Sequence, residues 1–105
     1  MKRIEVIIDI TQKDIDEGMV ASMRRGPIGI SLLDAGYKNV CVDDSVSITL
    51  ECDGINYEYY NFNSEDNDIM DFIKEFDSGK YVEPFKTKPL DFIEIDLSYK
   101  SFRYF

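Results

Sequence analysis

Apolar and polar positions recur along this chain with two different periods, and the switches between them mark out its elements. Residues 3–10, RIEVIIDI, are β-branched and mostly apolar, which predicts one strand with Ile4, Val6, Ile8 and Ile10 on one face. Ile7 adds an apolar side chain to the other face and so predicts a central or covered strand. The polar stretch TQKDIDEG then begins like a helix over residues 12–17. Thr11 stands at the N-cap, Asp14 at the capping-box position, and Ile10 and Ile15 at hydrophobic-staple spacing. Gly18 is expected to end that helix in the left-handed conformation.

Residues 21–36, ASMRRGPIGISLLDAG, predict a second short helix. Pro27 suits its first turn and Gly36 the position just past its end. Ile28, Leu32 and Leu33 make an apolar stripe that Ile30 widens, so the helix should lie against a sheet. Gly29 inside it costs up to about 1 kcal/mol relative to Ala unless another backbone packs closely there.

The next apolar stretch alternates cleanly. Val46, Ile48, Leu50 and Cys52 interleave with Ser47, Thr49 and Glu51, and Asp53-Gly54 is a two-residue turn signal. The implied register sets Cys52 opposite Ile55, Leu50 opposite Tyr57 and Ile48 opposite Tyr59, with one apolar face. Val40 and Val42 predict a strand just before, turning at Asp43-Asp44. NSEDNDIMDFIKEFDSGK is then the strongest helix. Ser64 caps it, Glu65, Asp66 and Asp68 load its first turns with negative charge, and Gly79 ends it. Ile69, Phe72, Ile73 and Phe76 fall on one face, while Asp68, Asp71 and Glu75 form an acidic stripe on the other. A segment with Pro84 and Pro89 crosses to a last strand, LDFIEIDLSY, with Ile93, Ile95 and Leu97 expected inward. The aromatic tail KSFRYF follows.

This order predicts an α+β fold in a single domain, residues 1–105. It has a mainly antiparallel sheet of about five strands, with two short helices and one longer helix packed on one face.

Charge changes the picture most. Twelve Lys and Arg against 21 Asp and Glu give a net charge of −9, which repels nucleic acid and anionic membrane. Any partner is therefore expected to be a protein with a basic surface, the alternative being that the acidic charge serves solubility alone. The chain has no His, which removes the commonest general base, the commonest metal ligand and the usual partner of a nucleophilic Ser or Cys. Cys41 and Cys52 stand in alternating apolar stretches and are expected to be reduced core residues. The N-terminal sequence has neither a signal-peptide pattern nor a spanning segment, so a cytoplasmic location is expected.

No motif for a catalytic triad, a phosphate-binding loop or a dinucleotide site is present. NFNSEDND is rich in oxygen ligands but lacks the central Gly of a calcium loop. We therefore expect no enzyme activity, no cofactor and no metal. Arg24-Arg25-Gly26 before Pro27 is the main basic spot besides Lys86 and Lys88. Two Arg beside a helix start can hold a phosphate or carboxylate, or pair with the chain's own surplus acids.

Three stretches carry a resemblance: ITQKDIDEG, PIGISLLDAG and FIKEFDSGKYVEPF. Thr11, Gln12, Ile15, Asp16 and Gly18, then Pro27 and Ile28, then Phe76, Asp77, Gly79, Val82, Pro84 and Phe85 resemble a pattern of small, mostly uncharacterised proteins encoded by bacteriophages. Gly26 stands where that pattern commonly has Cys, so no thiol role carries over. The resemblance implies phage origin and no particular activity.

The function expected is that of a small acidic interaction protein, an inhibitor of a host or defence nucleic-acid-binding protein. Its binding face would comprise Asp68, Asp71 and Glu75 with Glu58 and Tyr60 on the hairpin's other face. The alternatives are a small-anion or nucleotide-binding module at Arg24, Arg25 and Gly26, and a virion or assembly component pairing through an open strand edge.

Overall fold

The computed structural model describes residues 1–22, 24–43, 47–60 and 67–96. The chain runs β1 (Arg3–Val6), β2 (Asp9–Ile10), α1 (Gln12–Glu17), α2 (Pro27–Asp34), β3 (Lys38–Asp43), β4 (Ser47–Cys52), β5 (Ile55–Tyr60), α3 (Asn67–Asp77), β6 (Phe85–Lys86) and β7 (Leu90–Glu94). Five strands form an antiparallel sheet in the order β1-β7-β5-β4-β3, and β2 pairs with β6 in a separate ribbon. This is the expected α+β architecture.

The hairpin has the register its turn dictates: Cys52 faces Ile55, Leu50 faces Tyr57 and Ile48 faces Tyr59. Asp53 and Gly54 both have positive φ, 53° and 78°, as a type I′ turn requires. Sheet residues of one parity enter a single core with the helices. Val6, Val40, Ile48, Leu50, Tyr57, Tyr59, Leu90 and Phe92 are buried with Ile28 and Leu32 of α2, and with Ile69 and Phe72 of α3.

Four local expectations are corrected. First, residues 3–10 form two strands, and Ile7 between them is 47% exposed. β1 pairs with β7 and β2 with β6, so the chain changes partner where the 87–89 segment with Pro89 separates them. There Ile8 donates its N–H to Thr87 Oγ1 at 3.0 Å and accepts from the Thr87 N–H at 2.9 Å. β1 is thus an edge strand. Second, Gly18 is extended (φ −68°). A Cβ there would stand 2.7 Å from two ring carbons of Pro27, so the position needs space and not a left-handed backbone. Third, Leu33 is 44% exposed, while Ile28 and Leu32 carry the buried side of α2. Fourth, β7 turns Leu90 and Phe92 inward and leaves Ile93 and Ile95 half-buried. Phe92 is fully buried and stacks on Tyr59 at 5.4 Å, and that aromatic contact fixes which parity faces the helices.

The start of α1 and the ends of α2 and α3 behave as written in the sequence. Thr11 and Asp14 form both halves of the capping box, the Asp14 N–H to Thr11 Oγ1 at 3.2 Å and the Thr11 N–H to Asp14 Oδ2 at 2.9 Å. Helices α2 and α3 close with the same paired bonds. Gly36 donates to the Leu33 carbonyl and Tyr37 to Leu32; Gly79 donates to Phe76 and Lys80 to Glu75. Both glycines have positive φ, the Schellman ending. The expected cap Ser64, with Glu65 and Asp66, the turn residue Asp44, Val46, Leu97 and the aromatic tail lie outside the described residues.

Candidate functional site

Helix α3 is amphipathic by design of its sequence. Ile69 and Phe72 are buried and Ile73 and Phe76 half-buried. Phe72 is the anchor, 6.3 Å from the ring of Phe76 and 5.2 Å from that of Phe85. The flank beside Phe72 carries Asp68, Asp71 and Glu75, all exposed. Their three- and four-residue spacing stacks them along one face. Among the described residues the one ion pair joins Arg3 to Asp91 at 3.0 Å, so none of the three carboxylates is neutralised there.

Two of these acids work against the helix that bears them. Asp68 in the first turn complements the helix dipole, as does Lys74 in the last turn. Glu75 is also near the C-terminal end, where a negative charge is unfavourable. Like charges three and four residues apart cost a few tenths of a kcal/mol per pair. Helix formation therefore accounts for Asp68 but not for Asp71 and Glu75.

The segment after α3 runs alongside this face. Tyr81 is 78% exposed, Val82 is buried, Glu83 is exposed and Phe85 packs on Phe72. Between the helix and this segment lies an open groove of about 500 Å³. Asp68, Asp71, Glu75 and Glu83 stand along it, and Phe72, Val82 and Phe85 form its apolar part.

Glu58 and Tyr60 do not join this surface. Tyr57 and Tyr59 point into the core with α3, so strand alternation turns Glu58 and Tyr60 to the other side of the sheet. Glu58 is only 3% exposed, on the interior strand β5 with β4 and β7 on either side. It cannot present its carboxylate to a partner. Tyr60, at the strand's end, is 48% exposed.

Arg24, Arg25 and Gly26 form the lead into α2. The Arg25 N–H donates to Ser22 Oγ at 2.9 Å, and its carbonyl accepts from the Met19 N–H at 2.8 Å. The Arg24 carbonyl oxygen lies so near Gly29 that a Cβ there would stand 2.7 Å away, the close backbone approach anticipated for a glycine inside a helix. Both Arg are exposed and neither pairs with an acid among the described residues.

A cavity of about 240 Å³ opens between the start of α2 and α3. Gly26, Pro27 and Ile28 border it on one side and Phe72, Ile73 and Phe76 on the other, with Asp77 at its rim. Asp77 Oδ1 accepts the Ala21 N–H at 2.9 Å. Neither Arg24 nor Arg25 lines the cavity, and the carboxylate of Asp77 opposes an anion in it. The structure thus separates the two arginines from the only one of the three expected residues, Gly26, that borders a hollow.

Nothing else among the described residues assembles a reactive centre. No group of three metal-ligating side chains occurs among them, and most of the oxygen-rich NFNSEDND stretch lies outside them. Ser31 Oγ donates to the Ile28 carbonyl at 2.7 Å, a helix contact, and Ser22 serves the Arg25 backbone. Cys41 and Cys52 are free and half-buried. Burial pushes the hydroxyls of Tyr37 and Tyr57 above the usual phenol range, with Cys52 adding to both and Glu94 and Asp53 to Tyr57. Both stay neutral. No helix among the described residues is long and apolar enough to cross a membrane.

No protein-family model matches this chain, and neither does any curated protein or solved structure. The site therefore rests on its own geometry. Sequence periodicity located Asp68, Asp71 and Glu75 but missed Tyr81 and Glu83. Their signal was the alternation in YVEPF, with Val82 inward and its two neighbours outward.

Proposed function

We propose that this chain is a small acidic interaction protein that docks the outer face of α3 on a positively charged surface of a protein partner. The observation that carries this reading is the set of unneutralised carboxylates at Asp68, Asp71 and Glu75, two of which the helix itself does not call for. A surface of this kind competes with nucleic acid for a basic channel through electrostatic complementarity. Together with the phage-like sequence pattern, this supports an inhibitor of a host or defence nucleic-acid-binding protein as the finer form of the proposal. The net charge of −9 argues against direct binding of nucleic acid.

An anion- or nucleotide-binding role for Arg24, Arg25 and Gly26 has less support, because the arginines lie away from the neighbouring cavity and Asp77 stands at its rim. Assembly through strand edges is the remaining alternative, with β1 and β3 at the two ends of the sheet.

The test is a tagged capture from bacterial lysate at low and high salt, with the native chain beside the Asp71→Lys/Glu75→Lys variant. A basic protein held at low salt by the native chain and lost by the variant is the expected result. Equal retention by both would refute the α3 face as the docking surface.

A further inference from the structure

The groove beside α3 narrows the class of partner, and the following inference rests on the acidic-face reading. We propose that it takes an extended, arginine-rich segment of the partner protein.

Three features of the groove select such a segment. Its lining contains Asp68, Asp71, Glu75 and Glu83 and no Lys or Arg, so the groove itself favours a cation, with Lys86 and Lys88 bordering the next hollow beyond Asp68 and Phe85. Its apolar part, with Phe72 and Val82 each 6% exposed, suits the methylene stems of long basic side chains, which bury their carbons and keep the charge at the rim. Tyr81 at the edge is 78% exposed, and its ring makes no ring contact and its hydroxyl no hydrogen bond among the described residues. A solitary aromatic face beside carboxylates is a stacking platform for a planar guanidinium. A guanidinium also reaches a carboxylate with two parallel hydrogen bonds and sheds water more readily than an ammonium. Arginine is therefore favoured over lysine, and an extended segment can lay successive side chains along the line of acids between helix and segment.

The probe is a short oligo-arginine peptide titrated at low salt into the isotope-labelled full chain, followed by amide chemical shifts. The largest shifts are expected in residues 68–75 and 81–85. Tyr81→Ala should weaken binding about two- to five-fold, with Tyr81→Phe restoring it. Glu83→Gln should weaken it by a similar factor at low salt, and Glu17→Gln, which removes the same charge from exposed α1, should leave it unchanged. An oligo-lysine peptide of equal length should bind less tightly. Equal losses from Glu83→Gln and Glu17→Gln, with Tyr81→Ala inert, would show diffuse attraction and overturn the groove. The two proposals fail separately. If peptide leaves the groove unshifted while Asp71→Lys/Glu75→Lys still abolishes capture of the partner, the groove falls and the acidic face stands. If the groove binds peptide as described but the double variant captures as before, the acidic-face reading falls and takes this partner assignment with it.

Discussion

The corner where α1 meets α2 and the seat of α3 are built on opposite terms. At the corner, glycine backbone lies directly against its neighbours. Gly18 clears the ring of Pro27, Gly29 clears the Arg24 carbonyl, and α2 carries no charge until Asp34 at its end. Helix α3 is held at arm's length by aromatic side chains, chiefly Phe72 on Phe76 and Phe85. An open hollow lies on each flank, and its outer face stacks like charges. The first region specifies the fold through close contact. The second gives up contact and local electrostatic stability and leaves an acidic surface exposed, the kind of trade that the proposed docking would explain.

The contrast should appear first in the cost of removing an anchor. Phe92 is fully buried between strands and stacked on Tyr59, so Phe92→Ala should destabilise the chain by about 3–5 kcal/mol. Phe72→Ala removes the same atoms beside two existing hollows into which neighbours can relax. It should cost clearly less, about 2–3 kcal/mol. Urea unfolding of the two variants measures the difference, and equal losses would mean that α3 is seated as tightly as the sheet.

Crowding at the corner gives the next effect. Gly29→Ala forces a methyl group against the Arg24 carbonyl, a backbone atom that cannot swing away, and should cost about 1–3 kcal/mol. An exposed Gly→Ala change in an ordinary helix would be stabilising, so even the sign is informative. A stabilised variant in thermal unfolding would show that the lead into α2 gives way freely, and the comparison would lose its tight half.

How much of this was legible depends on the range of the signal. The capping box at Thr11 and Asp14, the ends at Gly36 and Gly79 and the register across Asp53-Gly54 are set by neighbours in sequence, and all were readable. The break after β1 was not, because nothing in RIEVIIDI interrupts a strand; Pro89, between the two strands it pairs with and some eighty residues away, does so. Gly18 was read as a conformational stop because its true reason, Pro27, acts through space. Each parity of β7 mixes apolar and acidic residues, and Tyr59 across the sheet decides for Phe92. Glu58 looked like a surface acid because its strand alternates, yet it is buried, and nothing local in INYEYY says so. The acidic stripe was readable from helical spacing alone. The groove beside it needed the return of residues 81–85.

A smaller effect tests the loose half. Reversing Asp71 to Lys turns the repulsions with Asp68 and Glu75 into attractions and the attraction to Lys74 into one repulsion, and on balance should stabilise the isolated protein by about 0.3–1 kcal/mol at low salt. The same change should weaken partner binding. Thermal unfolding at low and high salt measures the first part, and the gain should shrink as salt screens it. A destabilised Asp71→Lys would mean that the native carboxylate supports the fold, leaving its exposure without a functional explanation.

The smallest contribution belongs to the packed half and appears only in alkali. Burial raises the folded values of Tyr37 and Tyr57 above 10.0, the value of a free phenol. The folded chain therefore holds these protons more tightly than the unfolded one. Their contribution to stability is fully present below pH 10.0 and is lost as the pH rises through the raised folded values. Urea unfolding across that range should show stability declining, and Tyr57→Phe should decline less steeply because one of the two phenols no longer ionises in the unfolded chain. Unchanged steepness in Tyr57→Phe would place the alkaline loss elsewhere, and Tyr57 would then not be shielded in the way its place between β4 and β7 requires.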